Sequence, residues 1–253
     1  MRIVSLTCSN TEIVCALGRS AWLVGVDDHS DFPEEVVGSL PRVGPDLDID
    51  VDAVALLRPD LVLASLTVPG HERIVAALEA RGLPWIAPEP VSLADVYRDI
   101  RDIAARLDTD GEPLVAAMVA EMAPYEPAFR PSILVEWWPK PVIVPGRASW
   151  VTDLITLAGG ANPFGSRDVK STPVTDADVL AASPDAVVIS WCGVPLHRYR
   201  TDVVSRRPAW QALPALRGDQ IHPVTEAFLG RPGPRLVDGY RALRHIVEGL
   251  QPR

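Results

Sequence analysis

The sequence predicts an α/β fold with two Rossmann-like lobes, each built on a central, mostly parallel sheet, and a helical connector between them. Short apolar runs alternate with segments of helical periodicity, which favours parallel strand pairing in an open sheet. Two segments of the first half also recur in the second half. We therefore expect an N-terminal lobe over residues 1–92, a connector over 93–124 and a C-terminal lobe over 125–253.

The predicted strands are short apolar runs that end at turn or polar residues. In the first lobe they are Ile3–Leu6, Leu23–Val26, Leu61–Ala64 and Trp85–Ala87. In the second lobe they are Ile133–Val135, Val142–Val144, Ala186–Ser190 and Ile221–Pro223. Helical patterns such as Thr11–Leu17 and Glu72–Arg81 lie between the strands.

Two internal sequence repeats indicate that the same lobe architecture occurs twice. Val51–Ser65 resembles Asp176–Ser190, with a Pro-Asp pair at the same place in both, and each segment reads as helix, turn and buried strand. Thr11–Gly18 resembles Thr152–Gly159. In this second pair, Thr followed by an acidic residue suits a helix start, and Gly suits the C-terminal stop.

The segment between the lobes has helical spacing. Val96, Ile100 and Ile103 recur on one face, and the pattern resumes at Leu114 after the polar residues 108–111. This predicts one long helix with a break, or two helices in tandem.

Composition excludes some functions. The net charge of −9 argues against nucleic acid as a partner, because binding phosphates requires a basic field. Cys8, Cys15 and Cys192 are odd in number and lack a close pair, so neither a disulfide framework nor a zinc knuckle is expected.

The N-terminal sequence and the hydropathy lead to a prediction of where the protein is located. No apolar run reaches the roughly 20 residues that span a bilayer, so membrane insertion is not expected. Met1-Arg2 leads directly into a predicted strand, without the apolar region of a secretory signal. The prediction is a cytoplasmic monomer as the sequence stands, or an extracytoplasmic one if a leader has been lost.

A ligand is expected in a cleft between the lobes. Ligands of open α/β sheets bind beyond the carboxyl ends of the strands, so the residues after each strand outline the site. Four of the seven tryptophans follow strands of the second lobe, and aromatic faces offer large apolar contact area. The predicted ligand-binding residues are Cys8, Ser9, Asn10, His29, Ser65, Trp137, Trp138, Arg147, Trp150, Trp191, Phe228 and Arg231.

Local chemistry supports several of these residues. Ser9-Asn10 and Ser149-Trp150 are each expected to precede a helix, where free backbone N–H groups bind anions or serve as plain helix caps. Trp137 and Trp138 are adjacent in a strand, so one of them should point away from the core. Arg231 is available to a ligand carboxylate or phosphate.

Enzymatic readings have little support. His29 lies among carboxylates and could be a metal ligand, an acid–base group or a hydrogen-bonded loop residue. No Gly-x-Ser-x-Gly or Gly-x-Gly-x-x-Gly motif is present. We predict no catalytic residue, no metal site and no catalytic cofactor. An enzyme that uses His29 and Asp31 is the weaker alternative.

Several motifs resemble a known family, the class III substrate-binding proteins of ABC importers. They are Ser9-Asn10-Thr11-Glu12, His29–Pro33, Pro41–Gly44 and Arg58–Ala64, and the start is most similar to the cobalamin-binding branch. The resemblance implies two Rossmann-like lobes joined by one long helix, with little hinge motion. It also implies a ligand such as cobalamin, a ferric siderophore or haem.

The resemblance assigns roles to individual residues. It puts Cys8, Ser9 and Asn10 in the cleft and His29 at the place of a pocket aromatic. Other pocket aromatics of the cobalamin binders correspond to Asp46, Ser65 and Ser171, which are polar replacements.

The resemblance also implies docking to an ABC permease through one acidic residue on each lobe. The first corresponds to Asp52, and the second corresponds to Ala177, which Asp176 and Asp178 flank. The expected function is capture of a corrinoid, cobalamin or a precursor, for ABC-type uptake or intracellular handling. The alternative ligands are a ferric siderophore, haem or another metal chelate.

Overall fold

The computed structural model describes residues 1–252, and the chain separates into two compact units. Unit 1 comprises residues 1–90 and 95–117, and unit 2 comprises residues 91–94 and the chain from 118 onward. The predicted α/β class is confirmed, with mostly parallel sheets and a helical segment that links the two halves of the sequence. The lobe boundaries at residues 92 and 124 stay a prediction.

Unit 1 is built on a parallel four-stranded sheet in the order β2-β1-β3-β4. The strands are β1 (Ile3–Ser5), β2 (Leu23–Val26), β3 (Leu61–Leu63) and β4 (Trp85–Ile86). The helices are α1 (Cys8–Ala16), α2 (Glu34–Val37), α3 (Val51–Leu56) and α4 (His71–Ala80). Every residue of β1 and β3 is buried, as expected for strands covered on both faces.

The connector consists of two helices in tandem, α5 (Leu93–Arg106) and α6 (Glu112–Glu121). Two tandem helices are one of the two arrangements that the sequence pattern predicts. This arrangement differs from the single long helix that the resemblance implies. Asp108 has a positive φ of 45° in the break. At Gly111 a Cβ would lie 3.1 Å from the Cα of Arg101, so glycine permits the close approach there.

Unit 2 contains two three-stranded sheets, one parallel (β10-β9-β5) and one antiparallel (β6-β7-β8). The strands are β5 (Ile133–Glu136), β6 (Trp138–Pro139), β7 (Val142–Pro145), β8 (Ser171–Val174), β9 (Ala186–Ile189) and β10 (Ile221–Pro223). The helices are α7 (Trp150–Leu157), α8 (Asp176–Ala182), α9 (Thr201–Ser205), α10 (Pro214–Arg217), α11 (Glu226–Leu229) and α12 (Leu236–Gly249).

The antiparallel sheet departs from the expected alternation of strands and helices. Only residues 137–141 separate β5 from β7, which is too short for a crossover helix. The backbone N–H of Trp137 instead donates to the carbonyl of Ile143 at 2.8 Å, within a tight hairpin.

The Pro-Asp repeat, Val51–Ser65 and Asp176–Ser190, has the same local structure in both copies. In both copies the residue before the proline has a positive φ, 48° and 46° respectively. Asp60 Oδ2 accepts a hydrogen bond from the backbone N–H of Arg2 at 2.7 Å, just before β1. Asp185 Oδ2 accepts one from the backbone N–H of Ser132 at 2.7 Å, just before β5. Each copy thus fastens a helix–turn–strand segment to the first strand of its sheet.

For the second repeat, Thr11–Gly18 and Thr152–Gly159, the predicted helix ends are confirmed but the predicted helix starts are not. Gly18 and Gly159 follow α1 and α7 with φ of 70° and 87°, as expected for helix stops. The helix starts predicted at Thr11 and Thr152 are wrong, because both threonines lie inside their helices. Thr11 instead donates to the Thr7 carbonyl, one turn back.

Candidate functional site

The unit 1 sheet has a topological switch point between β1 and β3 at its carboxyl edge. The chain goes from β1 to β2 on one side of β1, and it then crosses to β3 and β4 on the other side. Asn10 occupies this crevice. Its Nδ2 donates to the carbonyl of Ala64 at 2.7 Å, and both groups are buried. Asn10 therefore ties α1 to the end of β3, and this amide N–H is not available to a ligand.

The other predicted residues of this edge also bind neighbouring loops. Cys8 Sγ donates to the His29 carbonyl at 3.0 Å, and Ser65 Oγ lies 2.9 Å from Thr67 Oγ1. The expectation that Ser9-Asn10 precede a helix is wrong, because α1 already begins at Cys8. The N–H groups of its first turn therefore start at Cys8.

A buried polar network supports the loop after β2. Thr11 Oγ1 lies 2.9 Å from both Ser5 Oγ and Ser30 Oγ, and Ser30 donates to Asp27. Asp27 also accepts from the backbone N–H of His29 at 2.9 Å. Burial raises the pKa of Asp27, and these hydrogen bonds partly oppose that shift. The network fixes the backbone that carries His29.

Asp46 lies between two histidines in unit 1. Its Oδ1 is 3.8 Å from Nε2 of His29, and its Oδ2 is 3.6 Å from Nε2 of His71. The His29 side chain is 55% exposed, whereas His71 is buried and its ring nitrogens have no hydrogen-bond partner among residues 1–252. The polar contact with His71 is the main reason that the pKa of Asp46 lies below its usual range.

Exposed apolar residues lie close in the chain to the two histidines and Asp46. Phe32 is three residues after His29, Leu47 is the residue after Asp46, and Val68 is three residues before His71. The Leu47 side chain lies against Gly70, 3.3 Å from where a Cβ would be. We call this set the His29 face, and its members are His29, Phe32, Asp46, Leu47, Val68 and His71.

Unit 2 has a buried ion pair at the carboxyl end of β5. Glu136 is fully buried and accepts from Arg207 Nη1 at 2.5 Å and from Arg207 Nη2 at 3.0 Å. Trp191 Nε1 donates to the same carboxylate at 3.0 Å. The Arg207 guanidinium lies 4.2 Å from the centre of the Trp210 ring. Two-point pairing satisfies a buried carboxylate well.

The predicted tryptophans differ in how much surface they offer. Trp137 is 9% exposed and Trp138 is 42% exposed, which agrees with the prediction that one of the two points away from the core. Trp191 is 6% exposed and packs 5.5 Å from the ring of Tyr199. Trp150 is half-buried and donates to the Leu229 carbonyl at 2.7 Å. Trp138 therefore presents the most open aromatic surface of the four.

The remaining predicted residues of unit 2 have close charged or aromatic neighbours. Arg147 forms an exposed ion pair with Asp168 at 2.7 Å. Arg231 is largely buried, and its Nε lies 3.5 Å from Glu226 Oε2. Phe228 is half-buried, with the Arg235 guanidinium 5.8 Å from its ring centre.

Asp52 is the predicted docking acid of unit 1. It is exposed in the first turn of α3 and pairs with Arg81. Asp176 is in the first turn of α8, and its Oδ1 accepts from Trp210 Nε1 at 2.7 Å. Asp176 thus contributes to the packing of unit 2 as well as to its surface charge.

Asp178 belongs to the capping box of α8. Its Oδ2 accepts from the backbone N–H and the hydroxyl of Thr175, and its Oδ1 accepts from Arg167 at 2.8 Å. The hydrogen bonds from Thr175, followed by that from Arg167, lower the pKa of Asp178 to about 2.

Neither a clustered metal site nor a membrane-spanning helix is found in the described part of the chain. Among residues 1–252, no group of three or more His, Cys, Asp and Glu side chains is arranged to hold a metal ion. Within the same residues, no helix combines the length and apolar character needed to span a bilayer.

Sequence reasoning misses several residues of these sites. Arg207 lies 71 residues from Glu136, and no local pattern links them. The helical pattern predicted from Glu72 does not include His71. The burial of His71 beside Asp46 depends on a loop contact that periodicity does not record.

Known proteins of this architecture match nearly the whole chain. An ABC transporter substrate-binding lipoprotein of Bacillus subtilis is 26% identical over 99% of this chain and 80% of its own length. A vitamin B12-binding protein of Vibrio cholerae is 27% identical over 94% of this chain and 85% of its own length. The apo structure of a periplasmic haem-binding protein from Roseiflexus is 28% identical, with a TM-score of 0.80, over 97% of this chain and 98% of that one.

The family model described as periplasmic binding protein matches residues 3–225. Its members are binding proteins, so the prediction that the chain is not an enzyme is confirmed. The predicted cytoplasmic location is wrong, because this family and the relatives above are periplasmic proteins or lipoproteins. The chain belongs to the periplasmic binding protein family.

Proposed function

We propose that this periplasmic binding protein captures a corrinoid, cobalamin or a precursor, and delivers it to an ABC importer. The vitamin B12-binding relative supports this ligand, since the similarity extends over 94% of the chain. The observation that carries the proposal is the His29 face, which combines an exposed imidazole beside Asp46 with exposed apolar side chains that lie within three residues of His29, Asp46 or His71 in the chain. A flat metal macrocycle has an apolar surface and a metal centre that suit such a face.

The apolar residues of the His29 face supply the binding energy in this proposal. Burying an exposed Phe, Leu or Val completely is worth about 1.5–3 kcal/mol. Phe32, Leu47 and Val68 are already partly covered, so about 1 kcal/mol from each is the appropriate scale. Because about 1.4 kcal/mol changes affinity tenfold, these three contacts alone alter the Kd by roughly a hundredfold.

Haem is the second candidate ligand, and His29 specifically favours it. A neutral imidazole nitrogen is a common ligand of haem iron. The Nε2 of His29 lies 3.8 Å from Asp46 Oδ1, which leaves Nδ1 as the nitrogen for the iron, and the side chain is open to solvent. The haem-binding protein of Roseiflexus is also similar over 97% of the chain.

The proposed partner is an ABC permease, with Asp52 as the first docking residue. Asp52 is exposed at the start of α3 and pairs with Arg81, which is also exposed. A surface pair of this kind contributes little to stability, about 0–1 kcal/mol, so a basic residue of a partner could replace Arg81 at small cost. Asp176 and Asp178 are the proposed residues of unit 2.

The ligand is tested by titrating the purified full chain with cyanocobalamin, dicyanocobinamide, haemin and a ferric hydroxamate. Absorbance and calorimetry report the Kd for each. We expect saturable binding of a corrinoid at micromolar concentrations or below. Binding of haemin alone would replace the corrinoid with the second candidate, and binding of the hydroxamate alone would reject both. A complete lack of corrinoid binding at high micromolar concentration rejects the first proposal.

A pair of histidine variants distinguishes the two ligands further. His29→Ala should change the Soret band of a haem complex and weaken it strongly, because the iron loses its imidazole ligand. His245→Ala is the matched control, since His245 is exposed on α12. An unchanged Soret band in the His29 variant would remove His29 as an iron ligand.

A further inference from the structure

Two loops of unit 1 carry His29 and Asp46. The first loop, residues 27–33, follows β2 and contains His29, and the second loop, residues 44–50, contains Asp46. The 3.8 Å between His29 Nε2 and Asp46 Oδ1 therefore depends on how the two loops are placed. The hydrogen bonds of the Asp27 carboxylate fix the first loop internally, but they do not reach the second. A residue that joins the two loops controls this separation.

The side chain of Arg42 binds the backbone of the first loop on both sides of His29. Its Nη1 donates to the carbonyl of Asp27 at 2.8 Å and to the carbonyl of Ser30 at 2.6 Å. Its Nη2 donates to the carbonyl of Val37, in α2, at 3.2 Å. A planar guanidinium presents its N–H groups in a fixed fork, so one side chain serves several acceptors in a defined geometry.

The backbone of Arg42 belongs to the base of the second loop. Val26 and Arg42 form a parallel bridge, and the N–H of Val43 donates to the Val26 carbonyl at 3.0 Å. The N–H of Asp50 donates to the Val43 carbonyl at 2.8 Å, which closes the second loop. Arg42 is thus joined to the second loop through its backbone and to the first loop through its side chain.

We propose that Arg42 is the positioning residue of the His29 face, because its guanidinium holds His29 and Asp46 in the arrangement that the ligand meets. This inference rests on the proposed function, since it takes the His29 face as the ligand site. A site that is ordered before binding loses less conformational freedom when the ligand arrives. A site that is correctly arranged for only part of the time binds with a correspondingly weaker apparent affinity.

The first test needs no ligand and measures amide hydrogen exchange by NMR in the wild type, Arg42→Gln and Arg19→Gln. Arg19 is the matched control, because it also donates to two backbone carbonyls, those of Leu107 and Asp108, at 3.3 and 3.1 Å. We expect the His29 amide to exchange about tenfold faster or more in Arg42→Gln, the scale of a lost charge-assisted hydrogen bond, and at the wild-type rate in the control. Wild-type protection in Arg42→Gln, or equal acceleration in the control, would overturn the proposed contact.

The second test is calorimetric titration of the same proteins, and of Arg42→Lys, with cyanocobalamin and haemin. For the ligand that the wild type binds, we expect Arg42→Gln to raise the Kd about tenfold or more. Arg42→Lys keeps the charge but loses the planar fork, so it should also raise the Kd, by about threefold or more. Arg19→Gln should change the Kd by less than about twofold, even where it lowers Tm as much as Arg42→Gln does.

The outcomes separate the positioning role from the proposed function. A wild-type Kd in Arg42→Gln, or full recovery in Arg42→Lys, would overturn the positioning role, and full recovery would show that the charge alone suffices. If the wild type binds neither ligand, the proposed function fails and the positioning role fails with it, while hydrogen exchange still decides whether Arg42 holds the first loop. Should Arg42→Gln not fold, Arg42→Lys replaces it in both tests.

Discussion

Asn10 and Ser9 are neighbours in α1, but their side chains differ in what they hold. Asn10 donates to the buried Ala64 carbonyl at 2.7 Å, whereas Ser9 Oγ has a longer contact with Thr7 Oγ1 at 3.3 Å. Removing the Asn10 amide leaves a buried carbonyl without its donor. We expect Asn10→Ala to lower the free energy of unfolding by about 1–3 kcal/mol and Ser9→Ala by less than about 1 kcal/mol. Urea denaturation measures both, and equal losses would contradict this role of Asn10.

The Glu136–Arg207 pair gives a second prediction for single residues. Arg207→Met leaves the fully buried Glu136 carboxylate without its counter-charge, so we expect a loss of about 3–5 kcal/mol in unfolding free energy. Adding Glu136→Gln should restore much of this loss, because the buried charge is then gone. Arg200→Met breaks only an exposed pair with Asp202 and should cost less than about 1 kcal/mol. A double variant as unstable as the single one would show that lost packing, not charge, dominates.

At the scale of helices and strands, two glycine stops provide a matched comparison. Gly18 and Gly159 both have positive φ after a helix. A Cβ at Gly18 would meet nothing within 4 Å in the described chain, but at Gly159 it would lie 2.5 Å from the Pro127 ring. Gly18→Ala should cost about 1–2 kcal/mol from backbone strain alone. Gly159→Ala should cost a further 1–3 kcal/mol or so from overpacking. Equal costs in thermal unfolding would contradict the close approach of Pro127 to Gly159.

The capping box of α8 predicts a dependence on pH. The pKa of Asp178 is lowered from 3.8 to about 2, so the folded state favours the ionised form. Its stabilising effect is therefore present above about pH 4 and is lost as the pH falls towards about 2. We expect Asp178→Ala to lower Tm at pH 6 and to have a smaller effect at pH 2. A Tm difference that stays constant with pH would contradict this assignment.

The elements that sequence predicts best are those encoded by short, continuous segments. Apolar runs locate the strands, and the Pro-Asp repeat locates a turn that occurs twice. In each copy the aspartate accepts a hydrogen bond from a backbone N–H at 2.7 Å. The start of α1 is missed because Thr7 does not use its side chain as a cap. The antiparallel sheet is missed because β6 has only two residues, too few for any periodicity.

For the whole molecule, sequence reasoning reaches the family but not every functional contact. The family match over residues 3–225 agrees with the motifs distributed along the chain. Asp46, by contrast, can be identified as a replaced pocket position, but its placement between His29 and His71 depends on two separate loops and on the start of α4. The cleft between the lobes, the ligand contacts and the docking acids stay predictions.

The central proposal is that the His29 face binds the ligand, and one calorimetric measurement tests it most directly. Cyanocobalamin is titrated into the wild type, Leu47→Asp and Val119→Asp; both substitutions put a carboxylate at an exposed apolar position. We expect Leu47→Asp to weaken binding by about tenfold or more, because ligand contact would bury the new charge, and Val119→Asp to change it by less than about twofold. Wild-type affinity in the Leu47 variant, or no binding by the wild type, would contradict the account.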